Sequence, residues 1–255
     1  MMVSTSFIVI SILLLSNITS LYIVVATNTT GKGLATWYND NSGSGSGAAC
    51  GWEVDVINAP FKSMIAAGNK DIFLNGKGCG HCFQIFCSRK PQCSGRPINI
   101  TVTDKCPGRC DDIAYHFDLS QIAYAKMAEP GKEQELIKFG QVDIQYKRVP
   151  CNYGSTKIAF KIDKKANPHW FATAIEYVNG DGAISRAEIA PNGTKNFSPM
   201  EIIWGAVWKK DIDPEKFKAP YSFKLISGDG KTVVASNVIP EKYAAGQKFT
   251  STVNF

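Results

Sequence analysis

The cysteines of this 255-residue chain constrain its fold more than any other feature, because all eight lie within its first 151 residues. Their positions are Cys50, Cys79, Cys82, Cys87, Cys93, Cys106, Cys110 and Cys151. The first half can therefore be held by covalent cross-links, whereas the second half depends on packing alone. This asymmetry predicts two domains, one over residues 27–154 and one over residues 155–255.

The N-terminus indicates the compartment in which the chain folds. An apolar run starts at Phe7 and continues, with interruptions at Asn17 and Thr19, to the small residue Ala26. This pattern is typical of a secretory signal peptide, which we place at residues 1–26, although no Lys or Arg precedes the run. The interruptions disfavour the alternative of a membrane-spanning helix. We therefore expect a secreted, extracellular protein that does not span a membrane.

An even number of cysteines in a secreted chain favours disulfides over free thiols. The alternative is a zinc site, because Cys79-Gly80-His81-Cys82 has zinc-like spacing. Oxidation of thiols outside the cell disfavours that alternative. We expect no metal site and a turn role for His81, while the spacing alone leaves the pairing of the cysteines open.

The charge pattern limits the possible partners. The formal net charge is +6, but Lys and Arg are scattered along the sequence, and Lys164-Lys165 and Lys209-Lys210 are the only Lys-Lys pairs. A nucleic-acid-binding protein would more often present a clustered basic stripe. We therefore expect no nucleic-acid partner, and at most a weak attraction to acidic polysaccharide.

Alternating apolar and polar residues predict strands over 98–103 and 141–149 in the first half. Between them, a helix is expected over 119–128, capped by Asp118 or Ser120, and another over 132–139. The second half contains almost only strand signals separated by glycine-containing turns. Its candidates are residues 157–163 and 170–177, and further along 183–190, 200–208, 221–226 and 232–239. This half is expected to fold as a small β-sandwich.

The candidate for acid chemistry is Asp118, directly after His116-Phe117. Inverting glycoside hydrolysis needs an acid and a base roughly 6.5–9.5 Å apart. The possible partners of Asp118 are Asp40, Asp104, Asp111 and Asp112. Asp111 and Asp112 are interpreted as solvated turn residues, and Asp118 as a helix cap remains an alternative. His116 is a general base or a structural hydrogen-bond donor, and we favour the structural role.

Aromatic residues suggest where a sugar chain could bind, since the C–H groups of a pyranose ring stack on an aromatic face. Thr36-Trp37-Tyr38 has this character, although Trp37 could equally belong to a core. Strand alternation places Trp170 opposite Phe171, Ile175 and Tyr177, which points Trp170 outward.

Trp204 and Trp208 share the same strand parity, so alternation alone cannot separate an exposed tryptophan from a buried one. A bulge at Gly205 could break that parity. Sequons for N-glycosylation stand at Asn28, Asn99 and Asn192, although Asn99 lies in a predicted strand and is the less accessible acceptor.

Taken together, these motifs resemble plant expansins, and among them the β-expansin branch that includes the group-1 grass pollen allergens. The resemblance spans essentially the whole chain after the leader. The motifs that carry it are Ala35-Thr36-Trp37-Tyr38, Ala49-Cys50-Gly51, Gly78-Cys79-Gly80-His81-Cys82-Phe83-Gln84-Ile85, Thr103-Asp104, Tyr115-His116-Phe117-Asp118-Leu119-Ser120, Arg148-Val149-Pro150-Cys151 and Trp204-Gly205-Ala206-Val207-Trp208.

The resemblance implies a mainly β fold with two domains. The first is a double-psi β-barrel similar to family 45 glycoside hydrolases, and the second is an immunoglobulin-like β-sandwich that binds carbohydrate. It also implies the pairs Cys50–Cys79, Cys82–Cys151 and Cys87–Cys93, which leaves Cys106 with Cys110. The groove positions it implies are Thr36, Trp37, Tyr38, Asp104 and Asp118, and the sugar-facing aromatics it implies in the second domain are Trp170 and Trp204. We also expect His116 among the residues that bind polysaccharide.

One position departs from the family pattern. Where relatives often carry an Asp shortly before the Ala-Cys-Gly motif, this chain has Gly45, and Asp40 is several residues away. An acid missing from the groove disfavours hydrolysis, which needs two carboxyl groups.

We therefore expect a protein, monomeric and without a cofactor, that loosens cell walls without hydrolysis. Its partners would be cellulose, xylan or other matrix glucans of the wall. One alternative is an endo-acting glycoside hydrolase with Asp118 as acid and Asp104 or Asp40 as base. The other is a carbohydrate-binding protein with no mechanical effect.

Overall fold

The structure, a computed structural model, describes residues 30–38 and 48–255. The predicted signal peptide, the sequon at Asn28 and the loop with Asp40 and Gly45 lie outside the described residues. Among the residues that are described, no helix is both long enough and apolar enough to cross a membrane.

The first domain is a closed barrel of six strands in the order β1-β5-β2-β4-β3-β6. The strands are β1 (Thr30–Tyr38), β2 (Ile65–Gly68), β3 (Cys82–Cys87), β4 (Ile98–Lys105), β5 (His116–Ser120) and β6 (Gln141–Val149). β1 runs parallel to β5 and antiparallel to β6, and β2 runs parallel to β4. Closure leaves no unpaired sheet edge in the barrel.

The second domain packs two antiparallel sheets face to face, with orders β10-β9-β13-β14 and β11-β12-β8-β7-β15. The strands are β7 (Ala159–Ile162), β8 (Trp170–Glu176), β9 (Ile184–Ala190), β10 (Ser198–Pro199), β11 (Glu201–Trp204), β12 (Val207–Asp211), β13 (Tyr221–Ser227), β14 (Thr232–Ile239) and β15 (Lys248–Thr250). The predicted fold class, a mainly β chain with a barrel and a sandwich, is confirmed. The predicted boundary between residues 154 and 155 stays a prediction.

The sequence pattern explains why these segments pair as they do. In β6, Val142, Ile144 and Tyr146 are buried while their neighbours are exposed, which is the alternation of a strand with one face on a core. Burying each such side chain contributes roughly 1.5–3 kcal/mol.

Three short helices lie between the barrel strands: α1 (Lys70–Phe73), α2 (Gln121–Ala125) and α3 (Glu133–Phe139). α2 is shorter than the helix predicted over 119–128, because Leu119 pairs with Trp37 of β1 and Ala66 of β2 as part of β5. Ser120 caps α2, since its Oγ accepts a hydrogen bond from the Ala123 amide at 3.0 Å. Asp118 is therefore a strand residue and not a helix cap.

The prediction of one strand over 200–208 is wrong, because this segment is a hairpin. β11 and β12 turn back on one another at Gly205, whose φ is +50°, and the register shifts between Ile202 and Trp204. The shift removes the parity that Trp204 and Trp208 share in the sequence. As a result, Trp208 is 5% exposed and Trp204 is 44% exposed.

Four disulfides cross-link the first domain. They join Cys50 to Cys79, Cys82 to Cys151, Cys87 to Cys93 and Cys106 to Cys110. These are the pairs that the family resemblance implies. Every cysteine of the sequence is engaged in one of them, which leaves no thiolate for zinc around His81.

The two domains share a buried apolar contact. From the barrel side, Trp52 stacks on Phe61 with ring centroids 5.3 Å apart, and its Nε1 donates to the Ile175 carbonyl at 3.0 Å. Ala172 and Ala174 of β8 pack against this pair. Tyr177 also joins this contact, so it does not share the face of Phe171 and Ile175 on which strand alternation placed it. Its positive φ of +63° ends the strand alternation after Glu176.

At one edge of this interface the two backbones touch through glycine. A Cβ added at Gly182, where φ is +87°, would lie 2.1 Å from the Gly80 carbonyl oxygen and 2.6 Å from Cys151 Sγ. We expect Gly182→Ala to destabilise the protein by about 2 kcal/mol, combining left-handed backbone strain with a clash that neither domain can relieve. Chemical denaturation measures this loss.

The matched control is Gly230→Ala, where φ is +83° but no atom lies within 4 Å of the added Cβ. It carries the same backbone strain without the clash, so its loss should be about 1 kcal/mol. Equal losses in the two variants would show that contact between the domains contributes nothing at Gly182.

Candidate functional site

The candidate site is a row of residues across four neighbouring barrel strands. Thr36 of β1 pairs with Asp118 of β5, Asp118 pairs with Ala67 of β2, and Ala67 also pairs with Asp104 of β4. The register therefore brings together Thr36, Asp104 and Asp118, which are far apart in sequence. Two strand spacings separate the acids, or about 10 Å between their Cα atoms.

A chain of hydrogen bonds ends on Asp118. Thr36 Oγ1 donates to Asp118 Oδ1 at 2.6 Å and lies 2.8 Å from His116 Nε2. Because the single hydroxyl proton goes to the carboxylate, His116 must donate through Nε2–H to Thr36. His116 Nδ1 is then unprotonated, and it is buried without a hydrogen-bond partner. His116 thus acts as a structural donor, the role favoured from the sequence.

Burial determines the ionisation of Asp118 and His116 in this hydrogen-bonded row. The pKa of Asp118 is raised because burial disfavours its charged form, and the Thr36 hydrogen bond and the His116 ring offset part of that effect. The pKa of His116 is lowered by burial, partly offset by Asp118, so the imidazole stays neutral at neutral pH.

The Cys106–Cys110 disulfide contributes to this burial. Cys106 Sγ lies 3.8 Å from Asp118 Oδ2, and Cys110 Sγ lies 3.9 Å from His116 Nε2. Disulfide sulfurs carry no proton, and so they cover the two polar groups without donating to them. The cross-link therefore fixes the segment beside the acid and excludes water from one side of it.

Asp104 is held differently from Asp118. Its Oδ1 accepts hydrogen bonds from the backbone amides of Ala49 at 3.1 Å and Lys105 at 2.8 Å. Asp104 therefore lies within β4 and fastens the 48–50 turn to the barrel. Of the other predicted partners, Asp111 accepts from the Lys70 amide at 2.7 Å and Asp112 is exposed.

The aromatic residues of β1 divide their contacts between the core and the surface. Trp37 Nε1 donates to the Ile137 carbonyl of α3 at 3.1 Å, and its ring lies 6.5 Å from that of Tyr124. Trp37 is half-buried, so it is partly a core residue. Tyr38 is half-buried at the end of β1, opposite Ser120.

The second domain places two tryptophans differently. Trp170 is half-buried beside the shared contact between the domains, on the face of β8 opposite Phe171 and Ile175. Trp204 is 44% exposed at the hairpin. A Cβ added at Gly51 of the barrel would lie 3.5 Å from Trp204 Nε1, so the exposed indole adjoins the first domain. The exposed indole of Trp204 therefore lies at the border between the two domains.

A cleft of about 570 Å³ between the domains has no counterpart in the sequence reasoning. Arg148 of the barrel donates to the carbonyl and the carboxylate of Asp181 at 2.6 and 3.1 Å. His81 lies 3.8 Å from the Asp181 carboxylate, yet burial, and then the Arg148 charge, lower its pKa to about 3. The sequence signals for this cleft were His81 within the Gly-Cys-Gly-His-Cys motif and Arg148 within the Arg-Val-Pro-Cys motif.

Two predicted glycosylation sites fall within the described residues. Asn192 is exposed in a turn. Asn99 lies in β4 as expected, but it is exposed there, so its strand position does not make it inaccessible. Whether either carries a glycan stays a prediction.

Comparison with known proteins agrees with both domains. The family model described as "Expansin C-terminal domain" matches residues 158–240, and the one described as "Lytic transglycolase" matches residues 65–146. Among solved structures, an expansin from Clavibacter michiganensis superposes with a TM-score of 0.65 at 20% identity, covering 89% of this chain and 98% of that one. A mutant of that expansin was solved in complex with cellohexaose and gives a TM-score of 0.67.

Curated plant proteins are more similar in sequence. Expansin-B11 of Oryza sativa subsp. japonica is 42% identical over 224 residues, which is 87% of this chain and 76% of the relative. Putative expansin-B2 of Arabidopsis thaliana is 44% identical over 225 residues, which is 87% of this chain and 81% of the relative. With identities this high over most of both chains, this protein belongs to the expansin family, among its Expansin-B members.

Proposed function

We propose that this protein is secreted to the plant cell wall and loosens it as a monomer, without cleaving polysaccharide. It binds cellulose, xylan or another matrix glucan along the row of Thr36, Asp118 and Asp104 and onward to Trp170 and Trp204. A surface that spans both domains can separate two polysaccharide chains, because contacts between protein and polysaccharide replace the contacts between the two chains. The cellohexaose complex of a relative with the same fold supports a β-linked glucan as ligand.

The hydrogen-bond chain ending on Asp118 carries the proposal. The neutral His116 and Thr36 orient one carboxyl oxygen, and burial strengthens each bond of the chain. The outer part of such a carboxyl group can bond a sugar hydroxyl, and charge-assisted bonds are about twice as strong as neutral ones. The polysaccharide–polysaccharide hydrogen bonds that it replaces contribute only about 1 kcal/mol each.

The contacts of Asp104 argue against hydrolysis. Inverting cleavage requires a carboxylate base that activates water opposite the acid. One oxygen of Asp104 is instead occupied by two backbone amides of the 48–50 turn and β4. Orienting a water molecule would compete with these structural bonds.

The decisive experiment measures extension of isolated, heat-inactivated walls under constant load and soluble sugar in the same sample. We expect extension without new reducing ends. Extension that rises in proportion to released sugar would contradict the non-hydrolytic proposal.

Glycoside hydrolysis is the second candidate, because the register does place Asp104 in the same row as Asp118. It predicts that Asp104→Asn and Asp118→Asn each abolish sugar release from soluble glucan. Pure carbohydrate binding is the third candidate, and it predicts wall binding without extension.

The exposed indole of Trp204 should contribute to binding. Trp204→Ala removes a ring face worth roughly 0.5–1.5 kcal/mol, and so we expect about three- to tenfold weaker binding to cellulose. Depletion isotherms on microcrystalline cellulose provide the measurement. Val234→Ala is the control, since Val234 is similarly exposed, at 43%, but lies on β14 of the opposite sheet. Equal binding of the two variants would remove Trp204 from the proposed surface.

A further inference from the structure

A second cavity lies on the sandwich and is lined by residues between 166 and 245. Its volume is about 640 Å³, within the roughly 300–1,000 Å³ of typical ligand sites. The rings of Phe217, Tyr221 and Tyr243 form its apolar part, and Asn192 stands in its lining. We call it the Asn192 cavity. None of the residues in the barrel row lines it.

The aromatic part of the Asn192 cavity is held in place by its own contacts. The Tyr221 hydroxyl donates to the Phe217 carbonyl at 3.2 Å. The rings of Phe217 and Tyr221 lie 5.6 Å apart, and those of Tyr221 and Tyr243 lie 6.0 Å apart. Phe217 and Tyr243 are only half-buried, so part of this preformed surface remains available.

The polar residues of the same cavity suit a neutral, hydroxyl-rich ligand. Asn167, Lys218 and Glu241 line it beside the rings. They offer both donors and acceptors, and the charges of the latter two are opposite. An aromatic face with a polar rim is the arrangement that binds a sugar ring.

The sequon Asn192-Gly193-Thr194 provides an attachment point for an N-linked glycan at this cavity. It lies in an exposed turn in which the Thr194 amide and hydroxyl both donate to the Pro191 carbonyl at 3.3 Å. The backbone N–H of Asn192 donates to the Lys218 carbonyl at 2.9 Å, and this bond fastens the turn to a segment that also lines the cavity. The acceptor side chain is thereby accessible and located at the cavity itself.

We propose that the Asn192 cavity seats the first sugar of an N-linked glycan carried by Asn192. The inference rests on the proposed secretion, because the donor is a lipid-linked oligosaccharide diphosphate of the secretory pathway. Asn192 Nδ2 forms a bond to the anomeric carbon of the first N-acetylglucosamine, the bond from that carbon to the diphosphate breaks, and the amide loses one proton.

Tethering favours the chain's own glycan over a free polysaccharide as occupant. A sugar attached at the cavity is present at an effective concentration in the millimolar range or above. At that concentration, even a weak stacking contact between the sugar and the aromatic rings is formed in most of the molecules. The glycan in turn covers aromatic surface that would otherwise face water, and so it should stabilise the second domain.

The test uses the full chain secreted from a eukaryotic host. Peptide mass mapping should show Asn192 occupied. Thr194→Ala, which keeps Asn192 but destroys the sequon, should lower the melting temperature by about 2–4 °C, the shift expected for loss of one sugar–aromatic contact in a chain of this size. Trimming the glycan enzymatically to its first N-acetylglucosamine should leave the melting temperature unchanged.

Tyr243→Ala tests whether stabilisation by the glycan depends on its contact with the cavity rather than on glycosylation alone. It removes a ring of the cavity, so adding Thr194→Ala should now lower the melting temperature by less than 1 °C. Asn99→Gln, at an exposed sequon on β4 that does not line the Asn192 cavity, is the control and should cause no comparable loss.

Three results would overturn the proposal: an unmodified Asn192 in the secreted chain, an unchanged melting temperature in Thr194→Ala, or a glycan-dependent shift that survives Tyr243→Ala. If polysaccharide fragments protect the unmodified cavity instead, a free chain is the occupant. Wall extension by Thr194→Ala distinguishes this outcome from failure of the proposed function, because extension should be retained whether or not the glycan is seated.

Discussion

Asp118→Asn is expected to reduce wall extension by roughly 10–100-fold, the loss that corresponds to one charge-assisted hydrogen bond of about 1.5–3 kcal/mol. Asparagine keeps the size of the side chain and an acceptor for Thr36. It removes the charge and replaces one acceptor oxygen by an NH₂ group. Because the acid lies on β5 between β1 and β2, the change should leave the barrel itself intact.

The measurement is the extension rate of heat-inactivated walls at constant load, with reducing ends determined in the same sample. Asp111→Asn is the matched control: this carboxylate also lies near the Cys106–Cys110 disulfide, but it accepts from the Lys70 amide, a bond that asparagine can retain. Unchanged extension by Asp118→Asn, in a variant that melts like the parent protein, would remove this acid from the mechanism. Loss of sugar release together with extension would indicate hydrolysis.

Sequence patterns predict this fold well where one face of a strand is buried and the other is wet. The β6 bounds, 141–149, agree with the predicted strand because alternation is unambiguous there. The β14 bounds, 232–239, also agree, although burial along β14 does not alternate regularly. Strand alternation fails as a guide at Trp204 and Trp208, because a turn and a register shift within five residues place the two side chains on different faces. Local pattern also extends α2 backward through Leu119, whereas pairing with two strands decides the real boundary.

The candidate site could be predicted only in part. The residue types at Thr36, His116 and Asp118 suggested polar chemistry, but only the parallel register of β1 and β5 shows that Thr36 lies between the other two. The roles of Arg148 and Asp181 depend on the contact between the domains. No local pattern in either half of the chain encodes such a long-range contact.

That contact also contains a buried group of charges. Glu176 of β8 is 0% exposed, and it shares the Lys248 ammonium group with Asp55 of the barrel. Lys248 Nζ lies 3.4 Å from Glu176 Oε2 and 3.2 Å from Asp55 Oδ1, and Lys161 Nζ lies 2.8 Å from Asp55 Oδ2. Glu176 Oε1 is buried without a hydrogen-bond donor. Burial and the nearby Asp55 carboxylate both disfavour the charged form of Glu176, so Glu176 is the member of this group that binds a proton.

Burial, only partly offset by Lys248, raises the pKa of Glu176 from 4.5 to about 7. The pKa of Asp55 is instead lowered, because its contacts with Lys161 and Lys248 outweigh the effect of its burial. The stabilising effect of Asp55 is therefore lost only as the pH falls through values below 3.8. Asp55 stays ionised throughout the range in which Glu176 titrates.

The sign of the pH effect follows from proton uptake. Between pH 4.5 and about 7 the folded state binds the Glu176 proton and the unfolded state does not, so stability is lost as the pH rises through this window. The expected loss is roughly 3 kcal/mol. His81 acts oppositely, because its lowered pKa makes the unfolded state the stronger proton binder below pH 6.5. A difference between two variants removes that opposing contribution.

Glu176→Gln provides the difference, since glutamine resembles the protonated acid in size and carries no charge at any pH. We expect the variant to match the parent protein near pH 4.5 and to exceed its unfolding free energy by roughly 3 kcal/mol near pH 7.5. Denaturant titrations across this range measure the gap. Glu215→Gln, at an exposed position, should show a gap independent of pH. A constant gap for Glu176→Gln as well would mean that Glu176 is ionised at the domain interface, and Lys248 would then be the group that balances both carboxylates.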